Sequence, residues 1–428
     1  MPTESTDHRQ MWTNLGLDLE AHDALLEVLG HGYEAVFLGQ QNRPKGMDYF
    51  NFVMSEVHGL RVKELLDEKA AGRKVFGSFC VFVPEEIVKS VDGTLVGLCT
   101  GADFATDAVE KYLPRNTCAL IKSAFGFKLG KVCPYIESVD MIIGENTCDG
   151  KKKAYETLDT LVPNLYVMDL PQVKNERGRE LLKAEYVRFL RKVEELSGVT
   201  VDVPRMKHGI ALANAKRAAL HRLSKLRAAD PAPISGLDAL LINQVGFYDD
   251  VERFTQSVNA VCDELDERVA AGEGVFPKGT PRILMSGCPM AVPNWKLPWI
   301  VESMGAVIVG EESCVGERGT RGLVSDEGDT LEDLIGNIVD RYFDIDCAIF
   351  TPNTDRLEHA MEMSKSYSAD GVIHYCLNFC QPYQMESYSV AEALQSEGIP
   401  ALRIETDYSQ EDAEQLKTRV EAFVEMLR

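Results

Sequence analysis

The stretch VFGSFC at residues 75–80, with VPEE following at 83–86, decides the fold of this chain because a similar stretch returns later. In the later copy, RILMSGC at 282–288 is followed by VPNW at 292–295. Each has the pattern of a short buried strand that ends in a cysteine and leads into a helix. Four more pairs recur in the same order: LVGLC (95–99) with AVIVGEESC (306–314), TCALIKS (117–123) with DCAIFTPN (346–353), MIIGENTC (141–148) with GVIHYCLNFC (371–380), and LYVMDLPQ (165–172) with LRIETDYS (402–409).

These pairs indicate a diverged duplication. Short apolar runs alternate with amphipathic segments in both copies, which predicts parallel sheets covered by helices. We therefore expect an α/β protein with two similar, Rossmann-like parallel-sheet domains, at residues 71–200 and 276–428. Residues 1–70 should form a helical N-terminal segment, because their apolar residues have helical spacing. Residues 201–275 should form a helical insertion or linker, or else the outer helices of the first domain.

The composition narrows the classes of function. The 428-residue chain has a formal net charge of −22, which argues against nucleic-acid binding, since that needs a basic surface. The first residues, MPTESTDHRQMW, lack the apolar segment of a secretory signal, and no apolar run reaches the ~18 residues of a membrane span. We therefore expect a cytoplasmic protein without a membrane partner, in which thiols stay reduced.

Eleven cysteines are the main functional signal. Three of them, Cys118, Cys133 and Cys148, fall between Asn116 and Lys153. Open α/β sheets bind ligands beyond the carboxyl ends of their strands, so two facing domains would bring strand-end cysteines together. The cysteines expected at or near strand ends are Cys80, Cys148, Cys288, Cys376 and Cys380.

Spacing alone leaves the role of these thiols open between an iron–sulfur centre and structural burial. Zinc is less favoured because only Cys376 and Cys380 have the close spacing of structural zinc ligands. A thioredoxin-like C-x-x-C is absent. Cys288 and Cys314 fit a site-lining role and a structural role equally well. Buried, structural roles are expected for Cys99, for Cys262 within a helix, and for Cys347 within an apolar strand at 347–350.

Taken together, six motifs resemble the 2-hydroxyacyl-CoA dehydratase family, which includes subunits of ATP-dependent benzoyl-CoA reductase. The motifs extend over about residues 74–380: FCVFVPEEI, NTCALIKSAFGFKLGKVCPY, ENTCDGKKKAYE, LMSGCPM, EESCVGERG and DGVIHYCLNFC. Within this family the chain looks most like the double-cubane cluster proteins.

That resemblance implies an [8Fe-9S] cofactor, two [4Fe-4S] cubanes joined by a sulfide, with three cysteines on each cubane. It also implies a homodimer that reduces small molecules with electrons from a separate ATP-hydrolysing [4Fe-4S] reductase. Cys80, Cys148 and Cys380 would belong to one set. The implied ligands are Cys80, Cys118, Cys133, Cys148, Cys376 and Cys380.

Two alternatives remain at this stage. One is a subunit of a 2-hydroxyacyl-CoA dehydratase, a lyase, with a single [4Fe-4S] cluster. The other is a non-enzymatic metal or redox scaffold. The chain has no G-x-x-x-x-G-K-S/T loop, so we do not expect it to hydrolyse ATP itself.

Polar residues near the cysteines suggest further roles. Glu145 and His374 are candidate catalytic residues that could relay protons to a substrate. The second group of candidates comprises lysines that could balance an anionic cluster, form a docking surface, or simply face solvent: Lys122, Lys128, Lys151, Lys152 and Lys153. Glu311, Glu312 and Arg318 are expected to line the crevice of the second domain.

Overall fold

The structure, a computed structural model, describes residues 8–428 and contains two four-stranded parallel sheets. The first sheet comprises β1 (Val75–Ser78), β2 (Thr94–Gly97), β3 (Met141–Glu145) and β4 (Leu165–Met168), in the order β2-β1-β3-β4. The second comprises β5 (Arg282–Gly287), β6 (Val307–Glu312), β7 (Gly371–Leu377) and β8 (Ala401–Thr406), in the order β6-β5-β7-β8. The predicted α/β class with two similar parallel sheets is confirmed, and the identical strand order is what a duplication would produce.

Helices lie before, between and around the strands of the two sheets. The N-terminal segment contains Arg9–Asn14, Leu19–Tyr33, a π-helix at Glu34–Leu38, Met47–Ser55 and Leu60–Ala70. The first sheet is accompanied by Glu85–Lys89, Thr106–Val109, Ala119–Leu129, Pro134–Ser138, Asp149–Leu158 and Glu176–Ser197. The middle segment contains Val203–Leu226, Gly236–Val245 and Val251–Ala271. The second sheet is accompanied by Lys296–Ser303, Glu317–Thr320, Leu331–Phe343, Thr354–Ser366, Gln381–Ser396 and Ala413–Leu427.

The middle segment is tied to both sheet regions. Arg217 in the helix Val203–Leu226 pairs with Glu86 of the first region at 2.6 Å. Arg227, directly after the same helix, pairs with Glu311 of β6 at 2.5 Å. These contacts join the helix to both halves, and the division of the chain into separate domains stays a prediction.

Burial differs between the two edges of each sheet. Every residue of β1, β3, β5, β6 and β7 is buried, as expected for parallel strands covered on both faces. The edge strands β4 and β8 have buried and more exposed residues, whereas the opposite edge strands, β2 and β6, are almost or fully buried. Within residues 8–428, no helix has both the length and the apolar character needed to cross a membrane.

One local prediction differs from the structure. The expected strand at 347–350 is wrong: the segment is a turn in which the Phe350 N–H bonds to the Cys347 carbonyl at 3.1 Å. The equivalent segment of the first half, after Cys118, forms the helix Ala119–Leu129. Local apolar character alone does not separate turn, helix and strand.

Candidate functional site

The strand order places the cysteines at one edge of each sheet. From β1 the chain moves to β2 on one side and then to β3 on the other, so the crevice opens between β1 and β3. Cys80 and Cys148 follow these two strands, and Cys288 and Cys380 follow the equivalent strands β5 and β7.

The two edges enclose one large cavity of about 1080 Å³. This exceeds the roughly 300–1,000 Å³ of ordinary small-molecule pockets, so it has room for a bulky cofactor. Each half supplies four cysteines to its wall. The lining thiols are those of Cys80, Cys99, Cys118 and Cys148 from the first half, and Cys288, Cys314, Cys347 and Cys380 from the second.

These eight cysteines form four equivalent pairs in the internal repeat. The pairs are Cys80 with Cys288, Cys99 with Cys314, Cys118 with Cys347, and Cys148 with Cys380. Both halves of the repeat also contain a C-x-G sequence, Cys99-Thr100-Gly101 in the first and Cys314-Val315-Gly316 in the second. The cavity therefore lies between two related sets of thiols.

Three thiols contact one another and form what we call the first thiol group: Cys118, Cys288 and Cys380. Hydrogen bonding to Cys380 raises the pKa of Cys118, and burial raises the pKa of Cys288. The thiol of Cys380 interacts with both of the others. One member comes from the first half and two come from the second, so neither half can form this group alone.

Backbone N–H groups surround the first thiol group. The Leu377 N–H points to Cys288 Sγ at 3.4 Å, and the Tyr383 N–H points to Cys380. Cys118 and Cys380 are also the N-cap residues of helices Ala119–Leu129 and Gln381–Ser396. Helix N-termini favour negative charge and lower the cost of forming thiolates.

The repeat defines a second thiol group, Cys80, Cys148 and Cys347, as the equivalent of the first. Cys148 is again a helix N-cap, here of Asp149–Leu158. A fourth thiol, Cys314, hydrogen-bonds to Cys80, and this interaction together with the nearby guanidinium of Arg318 lowers the pKa of Cys314 to about 6. The thiols of the second thiol group therefore have a more polar environment than those of the first thiol group.

Charged side chains lie beside the second thiol group. Arg318 Nη1 lies 3.7 Å from Cys314 Sγ. Lys151 lines the cavity, and its Nζ lies 3.4 Å from a carboxylate oxygen of Glu145. The positive charge of Lys151 acts on Cys80, the thiol that follows β1. Cations at these positions would stabilise an anionic cluster.

Four of the six cysteines predicted as ligands line the cavity, and two do not. Cys133 is buried in an apolar cluster with Tyr135 and Tyr248, where burial raises its pKa to about 11. Cys376 lies within β7, and its Sγ donates a hydrogen bond to the Tyr383 carbonyl at 3.2 Å. The predicted grouping of Cys80 and Cys148 with Cys380 also differs from the contacts, since Cys380 touches Cys118 and Cys288.

The two predicted catalytic residues lie behind the cavity wall. The carboxylate of Glu145 is fully buried, which raises its pKa, and one of its oxygens has no hydrogen-bond partner. His374 is also buried, 3.2 Å from Ser286 Oγ and 3.4 Å from the Tyr383 carbonyl. Burial, with the nearby Arg356 cation, lowers the pKa of His374 to about 3. Lys151 lines the cavity and pairs with Glu145, so it connects the buried Glu145 to the cavity.

The remaining polar candidates are distributed more widely. Lys128 pairs with Glu137 at 2.7 Å, and Lys122 Nζ lies over the Phe379 ring. Lys152 and Lys153 are both exposed: Lys153 lies at the edge of the cavity and pairs with Glu156, and Lys152 pairs with Asp149. Glu311, Glu312 and Arg318 do not line the large cavity; they are buried in ion pairs underneath it.

The sequence left Cys288 and Cys314 open between site-lining and structural roles and favoured structural roles for Cys99 and Cys347, and all four line the cavity. The paired segments of the repeat contained the signal, because each of these cysteines is the counterpart of another cysteine. Cys262, expected to be structural, is fully buried in the core as predicted.

The donor set fits an iron–sulfur cofactor. Thiolates are the ligands that iron–sulfur clusters use, and the cavity offers several of them with helix N-termini beside them. No three His, Cys, Asp or Glu side chains in residues 8–428 converge on the position of a single metal ion. The thiolates of a cluster bind different iron atoms, so they do not have to converge in that way.

Comparison with known proteins identifies the family. The model of the family described as 2-hydroxyglutaryl-CoA dehydratase, D-component, matches residues 80–427. The chain therefore belongs to this family, whose members include enzyme subunits of dehydratases and of a reductase. The family resemblance expected from the six motifs is confirmed, and the chain is an enzyme component.

Three relatives illustrate the range of the family. YjiM of Escherichia coli K12, which has the provisional name of a dehydratase subunit, is 37% identical over 366 residues, covering 85% of this chain and 94% of YjiM. The (R)-phenyllactyl-CoA dehydratase beta subunit of Clostridium sporogenes is 24% identical, covering 83% and 92%. A benzoyl-CoA reductase subunit of Thauera aromatica is 22% identical, covering 78% and 85%.

Proposed function

We propose that this protein reduces small molecules at a double-cubane [8Fe-9S] cluster held in the large cavity. The observation that supports this most is the pair of equivalent three-cysteine groups, drawn from both halves, around one cavity. Two [4Fe-4S] cubanes with three cysteines each would use all six thiols of these groups. Bound there, the cluster would supply electrons of low potential.

We assign Cys118, Cys288 and Cys380 to one cubane, and Cys80, Cys148 and Cys347 to the other. This assignment replaces Cys133 and Cys376 because their side chains do not line the cavity. It uses the mutual contacts of the first thiol group and the internal repeat for the second. Cys99 and Cys314 then remain as additional, equivalent thiols.

The chain's own residues provide binding and protons. The helix N-termini at Cys118, Cys148 and Cys380 favour thiolates and hold them at the cavity wall. Lys151 faces the cavity and is paired with Glu145, so we assign proton delivery to this pair. His374 contacts the carbonyl of Tyr383, a residue of the cavity wall, at 3.4 Å, so we assign it a supporting role there.

We further propose that a separate ATP-hydrolysing [4Fe-4S] reductase supplies the electrons and that the protein works as a homodimer. The lack of a nucleotide-binding loop in the sequence supports an external source of energy. Relatives named as subunits of larger enzymes support an assembly of more than one component.

The decisive experiment measures iron, sulfide and the electron paramagnetic resonance (EPR) spectrum of protein purified without air. We expect about eight irons per chain and signals from two reducible clusters. About four irons per chain would contradict the double cubane. A size measurement of the same sample tests the homodimer, and single-turnover reduction of a small test molecule by the reduced protein tests activity.

A dehydratase subunit with one [4Fe-4S] cluster is the second candidate. Relatives named as dehydratase subunits favour it. It predicts about four irons per chain, binding of a CoA ester and a different partner subunit. Loss of water from a 2-hydroxyacyl-CoA, measured with a reducing partner present, would favour this candidate over the first.

A further inference from the structure

We propose that Arg318 makes the cubane at the second thiol group easier to reduce than the cubane at the first. This inference rests on the proposed function. Arg318 would be a positioning residue, because it acts through the thiol of Cys314 and the hydroxyl of Tyr383 rather than by touching a substrate.

Arg318 is a buried cation in direct contact with the site. It is 1% exposed, and its Nη1 lies 3.7 Å from Cys314 Sγ and 2.6 Å from Tyr383 Oη. Cys314 in turn interacts with Cys80, and Tyr383 Oη lies 3.7 Å from Cys347 Sγ. One guanidinium group therefore reaches two thiols of the second thiol group through one intermediate each.

The rest of the Arg318 environment fixes its position. Its guanidinium donates to the Gly287 carbonyl at 3.3 Å and to the Glu312 carbonyl at 3.1 Å. It also forms ion pairs with the carboxylates of Glu312 and Asp346. A guanidinium group offers five donors in a rigid plane, so these acceptors hold the charge at one place beside Cys314.

Arg318 contacts the thiol directly, whereas its carboxylate partner Glu312 is also directed to other groups. Arg318 Nη1 lies 3.7 Å from Cys314 Sγ, while the Glu312 carboxylate accepts a hydrogen bond from Ser286 Oγ and pairs with Arg356. A fixed cation near one cluster stabilises its reduced, more negative state.

The first half has no cation at the position equivalent to Arg318. The residue at the position equivalent to Arg318 is Asp103, four residues after Cys99, and it is exposed. The partners of the first thiol group are neighbouring thiols and the backbone N–H groups of Leu120, Ile121, Leu377 and Tyr383. The two groups are thus equivalent in sequence position and different in electrostatic environment.

The test is a potentiometric titration followed by EPR on the holoprotein, with Arg318→Met, Arg318→Lys and a matched control, Arg227→Met. Arg227 is 2% exposed and pairs with Glu311, the neighbour of Glu312 on β6, but its partners include no cysteine. We expect two distinct midpoint potentials in the unmodified protein. In Arg318→Met only the higher midpoint potential should fall, and in Arg318→Lys the same potential should fall less. In Arg227→Met both midpoint potentials should stay unchanged.

Unchanged potentials in Arg318→Met with full iron content would overturn the inference, as would an equal fall in Arg227→Met. If Arg318→Met does not fold or load iron, Arg318→Gln decides, because it keeps a polar side chain and removes the charge: a fall of the higher potential supports the inference, and no change overturns it. Failure of the proposed function is seen separately, as about four irons per chain in the unmodified protein.

Discussion

The two halves of this protein have the same strand order and cysteines at equivalent positions, yet the surroundings of those cysteines differ. Three residues after Cys148 the first half has Lys151, and three residues after Cys380 the second half has Tyr383. Four residues after Cys99 stands Asp103, and four after Cys314 stands Arg318. The thiols recur in both halves and the charges differ, so the thiols fit the proposed ligand role and the charged residues fit a role in adjusting the environment of the thiols.

The geometry explains why both cations affect one group. Lys151 lies near Cys80, and Arg318 lies near Cys314, which itself touches Cys80. Tyr383, at the position equivalent to Lys151, points its backbone N–H to Cys380, and its hydroxyl accepts a hydrogen bond from Arg318. The first thiol group is therefore held by amides and the second by charges as well. Variants that remove a thiol, a charge or a hydroxyl from one group at a time can break this contrast.

Removing one ligand from each group should give the largest effect. Cys288→Ser and Cys347→Ser should each lose about half of the iron, because each removes one of three thiolates from a different cubane. Their EPR spectra should retain different remaining clusters. Cys376→Ser is the matched control for Cys288→Ser, since both side chains are buried in the second half but Cys376 points to the Tyr383 carbonyl.

Iron loss in Cys376→Ser, or in Cys133→Ser, together with full iron in Cys288→Ser would contradict our assignment and restore the ligand set implied by the family resemblance. Equal, complete iron loss in both Cys288→Ser and Cys347→Ser would instead mean that the two groups hold a single, indivisible cluster. Iron and sulfide analysis of the four variants separates these outcomes.

The contrast between these cysteines also shows how far the sequence could be interpreted alone. The alternation of apolar runs predicted both sheets, and the repeat predicted their equivalence. Cys133 was a plausible ligand because the family resemblance implied it, within the motif that ends KVCPY. Its orientation into an apolar cluster depends on contacts with Tyr135 and Tyr248, and Tyr248 lies far away in the sequence.

Cys347 is the opposite case: it was expected to be structural, but it lines the cavity. Its apolar neighbours suggested a buried strand, but the segment turns at the cavity edge and exposes the thiol to the cavity. Its equivalence to Cys118 was visible in the sequence. The buried charges of Arg318 and Glu312 were not predictable in the same way, because their partners Asp346 and Arg356 are brought together only by the folded second half.

A stability measurement on Lys151 should show the next largest effect. Lys151→Met leaves the fully buried carboxylate of Glu145 without its cation, and breaking a buried pair costs about 3–5 kcal/mol. Protonation of Glu145 should reduce that loss, since burial already raises its pKa. We therefore expect a loss of about 2–3 kcal/mol in denaturant unfolding under anaerobic conditions.

The control is the double variant Lys151→Met with Glu145→Gln, which removes both charges and should recover most of the lost stability. A double variant no more stable than Lys151→Met would show that Lys151 stabilises the site by contacts other than the ion pair. The same pair of variants also tests proton delivery, because Lys151→Met should slow substrate reduction more than it slows reduction of the cluster.

Tyr383→Phe, at the position equivalent to Lys151, should have a smaller effect. The change removes the hydroxyl that accepts a hydrogen bond from Arg318 at 2.6 Å but leaves the backbone N–H that points to Cys380. We expect full iron content and a loss of about 1–3 kcal/mol, the usual cost of a buried hydrogen bond to a charged group. Loss of iron from the first thiol group would show that the ring position, rather than the amide, supports Cys380.

Replacing the equivalent thiols Cys99 and Cys314 should have the smallest effect, which is a difference in midpoint potential between the two variants. Cys99→Ser keeps a donor for the Phe79 carbonyl, which now accepts from Cys99 Sγ at 2.9 Å, so both midpoint potentials should stay unchanged. Cys314→Ser should keep all its iron but shift the potential assigned to the second thiol group, because the atom between Arg318 and Cys80 has changed. Iron analysis with EPR-monitored titration of both variants measures this contrast. Iron loss in Cys314→Ser alone would make Cys314, rather than Cys347, the third ligand of that group.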